Sequence, residues 1–469
     1  MMRNVLLALI FFCLLMLTVL PFELAAPYHD SQRLISTVMV AVALSASIWF
    51  ARLSRRALWG LVGLYVYGGL QVVFSPIAVW SLVEFSLLFS VVLLAVTLLS
   101  EVSRRDMTVL AVFFTLIQAF YLTRNLTNYV FVMATGAELD AFALVDGFSN
   151  VRFYGQFLLW TIPFVLGVLV THERLPYRYA IVAVLSLGWG FEFLTGTRAF
   201  VLGMLVSVPV VAWVARGYGW RYLQYCVPTA ALGFGVYYLM AFVLPEWLGN
   251  ADKMTAMLAQ SVGRDVASSH DRITLWLDAA RLMLAHPLWG AGPMSTAVQG
   301  VSDIAAHPHN YVVQLMAEWG MPFTLLLAVA AIRGIIRWRQ CVQVDAVGRA
   351  PLAVPIAASA GAVSVGGLVD GFLVMPVSLI YMTLVLAVAV GLWRKWTPQV
   401  ERMPIPVWGA ALLLLPALFL AAFTGVSWSG VMGDDVAVTG FHALDDGHPR
   451  FWIRGRIVVE NWEQLLCSS

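Results

Sequence analysis

The chain has 469 residues, of which 61% are hydrophobic and only 12% charged, with a formal net charge of +2 and a mean hydropathy of +0.84. Water-soluble domains carry about twice that share of charge and fewer apolar residues, so a soluble globular protein is excluded and a polytopic membrane protein is expected. No basic patch or stripe is present, which excludes nucleic acid as a partner.

Apolar runs of about 18 or more residues are long enough to cross a bilayer. In chain order they fall near 4–22, 33–51, 57–77, 80–99, 107–126, 154–171, 178–195, 199–215, 222–243, 311–332, 351–371, 374–393 and 404–425. The first follows Arg3 and resembles a signal peptide, but it is long, and Pro27 stands where cleavage needs an accessible extended site; it is expected to stay as a helix. The set predicts an all-α fold of about 12–13 transmembrane helices. Arg52, Arg55 and Arg56, Arg104 and Arg105, Arg174 and Arg178, Arg216 and Arg221, then Arg333, Arg337, Arg339 and Arg349, and finally Arg394, Lys395 and Arg402 gather in alternate connections. That asymmetry places those connections and the N-terminus in the cytoplasm. Segments 23–32, 127–153, 196–198, 244–310 and the tail after 426 then face outward. The last run carries Pro404, Pro406 and Pro416; if it did not cross, the tail would be cytoplasmic. The linear organisation is nine spans in 1–243, an outward loop in 244–310, further spans in 311–425 and a tail in 426–469. Cys13, Cys226, Cys341 and Cys467 share no outward compartment, so no disulfide is predicted, and neither C-x-x-C nor H-E-x-x-H occurs.

Four stretches carry polar chemistry, all on the outward side. In "FSNVRFYGQF", Asn150, Arg152, Tyr154 and Gln156 precede a span; Arg152 and Gln156 are ligand contacts or helix caps. "GTRAF" places Arg198 between two apolar segments with almost no loop, a costly position unless the charge is paired, faces water or snorkels. The loop 244–310 is long for a connection without a role, and "DRITLWLDAARLMLAHPLWGAGP" within it reads as an amphipathic helix over the bilayer surface or the other helices. There Trp276, Ala279, Ala280 and Met283 share the face of Arg272, and Pro287, Gly290 and Gly292 end the helix in a tight turn. A surface pair with Asp271 is the alternative for Arg272. Arg281 and His286 read as solvated positions. Last, "HPHNYVVQLMAEWG" sets His307, His309 and Asn310 at the mouth of an apolar run and places Glu318 inside it. A helix starting near Pro308 would put His309 and Asn310 in its first turn, where free N–H groups favour an anion. Glu318, nine residues beyond His309, would point about 180° away and serve another helix contact. His307 reads as a helix-start or packing residue.

Arginine presents a rigid fork of donors that matches phosphate oxygens at any physiological pH. Several arginines at the membrane surface would hold a diphosphate and stabilise it as a leaving group without a metal. Histidine titrates near neutrality and takes a proton from an attacking hydroxyl. Gathered on one face of an apolar protein, these groups suit an anionic, lipid-linked molecule arriving in the membrane plane.

The outward loop followed by "HNYVVQLMAEWGMPF" resembles the O-antigen ligase and O-antigen polymerase superfamily of bacterial inner-membrane glycosyltransferases. The ligase pattern is His, then Asn, Ser or Gln, nine residues, Gly, two residues, and Gly, Thr or Tyr. It maps onto His309, Asn310, Gly320 and Phe323, and the last position departs from it. A second pattern, R-x3-W-x2-A-x7-P-x2-G-x-G, maps onto Arg272, Trp276, Ala279, Pro287, Gly290 and Gly292. A third, a short Arg-containing turn between helices, maps onto Arg198. The resemblance covers roughly 150–330. It implies a GT-C-like architecture with one large helical periplasmic loop, no cofactor, no metal, and an undecaprenyl-diphosphate-linked glycan donor. It further implies that Arg198 and Arg272 bind the donor diphosphate and that His309 activates the acceptor hydroxyl or helps hold the diphosphate. Arg152, Gln156, Asn310, His307 and Trp276 are the expected substrate contacts. The expected acceptor is lipid A-core, with a second lipid-linked repeat (polymerase) or a protein (O-oligosaccharyltransferase) as alternatives. A lipid-linked glycan transporter, which predicts polar groups in both halves and internal symmetry, and a structural scaffold are more distant readings. The tail "VMGDDVAVTGFHALDDGHPRFWIRGRIVVENW" exceeds the usual pattern and is rich enough in aromatic and β-branched residues to be ordered. It serves acceptor recognition or packing.

Overall fold

The computed structural model describes residues 28–99, 101–137, 141–172, 177–302, 304–344, 350–432, 450–452 and 457. The expected first helix at 4–22, Cys13, Cys467 and most of the tail lie outside the described residues.

In chain order the helices are α1 (Tyr28–Ser47), α2 (Arg55–Phe74), α3 (Ala78–Thr97), α4 (Arg104–Thr135), α5 (Ala141–Leu144), α6 (Val151–Thr171), α7 (Arg178–Thr195), α8 (Arg198–Val214), α9 (Gly219–Tyr238), α10 (Leu244–Trp247), α11 (Ala251–Ala285), α12 (Tyr311–Trp319), α13 (Met321–Gln343), α14 (Ala353–Gly366), α15 (Pro376–Trp396) and α16 (Val407–Met432). Two-residue strands β1 (Arg52–Leu53) and β2 (Met403–Pro404) pair antiparallel. Among the described residues nine helices are long and apolar enough to cross a membrane, and two shorter apolar helices accompany them. The protein is an all-α polytopic membrane protein.

Local chemistry sets the helix ends. Ser54 accepts from the Ala57 N–H at the start of α2. Ser103 and Asp106 form a reciprocal capping box on α4. Gly136 and Gly196 end α4 and α7 in the left-handed conformation that glycine adopts without steric cost. Two expectations change in detail and a third holds. The loop helix begins at Ala251 rather than Asp271, because 251–270 holds no proline and a single glycine, Gly263. The run 311–332 is two helices, α12 and α13, broken at Gly320 (φ 84°, ψ 154°). The proline-bearing last run stays helical: α16 starts after Pro406 and keeps Pro416 inside.

The described helices divide into two compact units, Met1–Val102 with Asp271–Arg337 and Gly371–Ser469, and Ser103–His270 with Trp338–Asp370. In the first unit α1, α3, α15 and α16 pack on one another and α2 packs on α3. One apolar cluster joins Val83 and Leu87 of α3, Ala279 and Leu282 of α11, Met294, Val298 and Ala306 of the loop, Ala317 of α12, Leu420 of α16, and Phe451, Trp452 and Ile457 of the C-terminal segment. In the second unit α6 is the centre, with every residue of its apolar window buried. Small residues let backbones approach it. A Cβ on Gly167 of α6 would stand 2.5 Å from Pro355 Cα, and one on Gly203 of α8 2.7 Å from the Ala362 carbonyl oxygen of α14. Ser359 donates to the Trp160 carbonyl at 2.8 Å.

Candidate functional site

The site in the first unit is built on a joint between two turns. After α11 the chain reverses through Gly290 (φ 79°), Gly292 (φ 97°) and Met294 (φ 70°). The Ala291 N–H donates to the Ala317 carbonyl at 2.9 Å, Gly292 N–H to Glu318 at 3.0 Å, and Met321 N–H to Pro287 at 3.1 Å. The loop thereby satisfies carbonyls at the C-terminal end of α12 that have no partner within the helix. A Cβ on Gly290 would lie 2.5 Å from the Glu318 carbonyl, and one on Gly320 2.3 Å from the Leu288 carbonyl oxygen. Both residues also have positive φ, so side chains are disfavoured twice over. The Pro287–Gly292 turn and Gly320, two separate signatures in the sequence, are the two halves of one contact.

That joint presents the turn 306–310. The Trp276 indole N–H, from the Arg272 face of α11, donates to the Pro308 carbonyl at 2.9 Å. Asn310 caps α12, its Oδ1 accepting from the Val312 and Val313 N–H groups at 3.0 and 3.1 Å. The helix therefore starts at Tyr311, and His309 lies outside it in a left-handed conformation (φ 51°). This corrects the expectation that His309 sits in the first helical turn: Asn310, with its extended backbone (φ −151°, ψ 111°), is the favoured capping residue. His307 is 3% exposed and packs so closely on Gly371 that a Cβ there would meet its Nε2 at 2.6 Å. His309 is half-buried, its ring perpendicular to that of His307 with centroids 4.2 Å apart. Leu275, Ala279, Thr296, Val301, Ser302, His307 and Pro308 line a small pocket beside them. Arg272 is half-buried one helical turn before Trp276. The first unit thus gathers Trp276, His307, His309 and Asn310 at one turn, with Arg272 on the adjoining helix face.

Beneath the turn is a buried ionic cluster that the sequence reading missed. The Arg450 guanidinium donates through one terminal nitrogen to both oxygens of Glu318 at 2.7 and 2.8 Å and to Glu84 at 3.2 Å. Its other terminal nitrogen donates to Thr296 Oγ1 at 3.0 Å and to the Ala306 carbonyl at 3.2 Å. Glu318 also accepts from Thr296 Oγ1 at 2.5 Å and from Gln314 at 3.4 Å. Arg33 of α1 donates to the Phe451, Arg450 and Val374 carbonyls, with its guanidinium 5.2 Å from the Phe451 ring centroid. The two arginines thus lie among three buried acids, Glu318 and Glu84 beside Arg450, and Glu84 and Asp30 near Arg33. Burial alone would lower the Arg450 pKa, but the Glu318 and Glu84 carboxylates outweigh it and hold the guanidinium above its ordinary value. The signal was present in part: Glu84 and Glu318 interrupt apolar runs, where ionised groups require partners, and Arg33 stands at the start of one.

The second unit holds the other predicted residues. Asn150 caps α6, its Oδ1 accepting from the Arg152 N–H at 2.9 Å, so neither Arg152 nor Gln156 has the capping role. Gln156 is buried and Arg152 half-buried. Arg198 is exposed at the first position of α8, directly after the cap residue Thr197. A Cβ on Gly155 would meet Thr197 Cγ2 at 2.7 Å and Glu192 Oε2 at 3.2 Å. The starts of α6 and α8 are therefore adjacent, bringing Arg152, Gln156 and Arg198 to the same end of this unit.

A family model described as O-antigen ligase matches residues 180–329. That stretch contains Arg198, Arg272, Trp276, His307, His309 and Asn310. Arg152, Gln156, Arg33, Glu84 and Arg450 lie outside it. No curated protein and no solved structure matches the chain.

Proposed function

We propose that this chain, a member of the O-antigen ligase and polymerase superfamily of glycosyltransferase-type enzymes, is an O-antigen ligase. It moves a preassembled glycan from undecaprenyl diphosphate to a hydroxyl of lipid A-core, at the periplasmic face of the bacterial inner membrane. The observation that carries the reading is the turn around His309, a half-buried histidine held in a left-handed backbone. Strained backbone at a non-glycine residue persists where the surroundings over-determine it, and such positions cluster at functional sites.

In this mechanism His309 is the general base. Its ring takes the proton of the acceptor hydroxyl as that oxygen attacks the anomeric carbon of the donor sugar. The bond from that carbon to the diphosphate oxygen breaks, and undecaprenyl diphosphate leaves with the electron pair. Arg272 neutralises the charge that grows on the leaving group, and Arg198 carries the same role by the family resemblance. Guanidinium groups do this without a metal because they are permanently charged and match phosphate oxygens geometrically. His307, Trp276 and Asn310 shape the surroundings of the acceptor hydroxyl, the last two through the backbone bonds that fix the turn, and Arg152 and Gln156 are donor contacts at the Arg198 end of the second unit.

The test is transfer by the purified protein from a polyprenyl-diphosphate glycan to lipid A-core, to a second lipid-linked repeat and to a protein acceptor in separate reactions. Product on lipid A-core that disappears in folded Arg198→Ala, Arg272→Ala and His309→Ala is the expected result. Product only on another acceptor reassigns the branch of the superfamily. No product, with translocation of the lipid across liposomes, refutes the enzyme.

A further inference from the structure

We infer that Arg450, from the C-terminal segment, is a positioning residue for His309. The inference rests on the transferase reading and extends it to a residue outside the family-matched stretch.

Three anchors hold the turn that carries His309. Trp276 binds the Pro308 carbonyl, Asn310 caps α12, and Arg450 binds the Ala306 carbonyl. The first two belong to motifs already described. The third arrives from a residue 144 positions away in sequence. The same guanidinium grips Glu318 at the far end of α12, Glu84 on α3 and Thr296 in the loop. A planar group with fixed donors that bonds four places at once fixes their mutual distances. The helix that Asn310 caps and the turn that precedes it are thus tied to one rigid object. A left-handed conformation at a non-glycine residue is strained and persists only where its surroundings hold it, so it needs such ties.

The segment around Arg450 is itself held. Arg33 takes the Arg450 and Phe451 carbonyls at 3.1 and 3.0 Å. Phe451 and Trp452 are buried in the apolar cluster that includes Ala306. Ile457 forms a parallel bridge to Val298, with the Gln299 N–H donating to Ile457 at 2.8 Å and the Ile457 N–H donating to Ala297 at 3.0 Å. The pocket residue Thr296 and the three residues after it are therefore braced by the same segment. Arg450 is 1% exposed and touches no substrate; it acts through the backbone.

The test compares Arg450→Gln, Arg450→Lys and Leu44→Ala in the full-length protein. Leu44 is fully buried on α1, so its truncation lowers the melting temperature without touching the turn. Two readouts are taken: kcat and donor KM for glycan transfer, and the rate at which diethylpyrocarbonate modifies His307 and His309, by mass spectrometry. Arg450→Gln is expected to lose on the order of 10- to 100-fold in kcat, with donor KM changed by less than about threefold, and to open His307 to modification. Arg450→Lys, which keeps the charge but not the fork, should fall between. Leu44→Ala should keep both kcat and the modification pattern within about threefold. Wild-type kcat and unchanged His307 reactivity in Arg450→Gln overturn the inference, and so does an equal kcat loss in Leu44→Ala. If Arg450→Gln does not accumulate, a folded Arg450→Lys with wild-type values overturns it. If wild type transfers no glycan, the transferase reading fails on that count, while the histidine reactivities still decide whether Arg450 sets the turn.

Discussion

The cluster beneath the turn yields a thermodynamic prediction that needs no assay of function. Glu318 is fully buried and takes two hydrogen bonds from Arg450 besides those from Thr296 and Gln314. Glu318→Gln keeps the shape and an oxygen for Thr296 but leaves Arg450 with Glu84 as its one hydrogen-bonded carboxylate, while Arg33 keeps Glu84 and Asp30 nearby. Removing one partner of a buried ion pair costs about 3–5 kcal/mol, because the other charge stays in the interior. With part of the hydrogen bonding retained, about 3 kcal/mol is expected for Glu318→Gln, and a similar loss for Arg450→Gln. The double variant Glu318→Gln/Arg450→Gln leaves Arg33 opposite Glu84 and should recover about 2–3 kcal/mol of the summed cost, within the range of coupling between contacting residues. Unfolding by sodium dodecyl sulfate titration in mixed micelles, run as a double-mutant cycle, measures it. Additivity within about 0.5 kcal/mol, or a Glu318→Gln cost below about 1 kcal/mol, would refute the reading that these charges hold one another.

Further outcomes follow from the joint and the caps. Gly290→Ala and Gly320→Ala should each destabilise by at least about 1–3 kcal/mol from backbone strain, whereas Gly425→Ala, in α16 with open space around it, should be neutral or stabilise by up to about 1 kcal/mol; thermal melts in detergent distinguish them. Asn310→Ala should lose about 1 kcal/mol through the uncapped α12 and Asn310→Asp should retain most of it, checked the same way. Prolonged treatment with a chelator should leave the rate of glycan transfer unchanged, since the proposed charge stabilisation uses arginines; a rate restored only by added divalent cation would count against it.

Much of the membrane architecture was legible because it depends on local composition. The apolar runs marked the spans, and Gly290, Gly292 and Gly320 signalled tight backbone, whereas the caps fell to Asn150 and Asn310 rather than to the residues expected. Two things were not legible. His309 looked helical because Pro308 is a good first-turn residue; only the hydrogen bonds of Asn310 show that the helix starts at Tyr311, three residues after Pro308. Glu318 posed a question that its own neighbourhood in sequence cannot answer, because its cation stands 132 positions away. An acid in an apolar run states that a partner exists but not which one. That separation has a consequence for the tail. The family-matched stretch 180–329 contains Glu318 but not Arg450, so it carries a buried acid whose charge is compensated from outside it. A chain cut after Met432 should leave Glu318 and Glu84 sharing Arg33 and should fail to accumulate as a folded protein. The same truncation carrying Glu318→Gln removes one of the acids left without Arg450 and should recover part of the folded yield, while transfer stays low because the Ala306 carbonyl has lost its anchor. Size-exclusion chromatography of the two truncated forms beside the full chain reads the first outcome, and glycan transfer reads the second. Equal yields with and without Glu318→Gln would show that the tail stabilises through Phe451 and Trp452 packing rather than through charge.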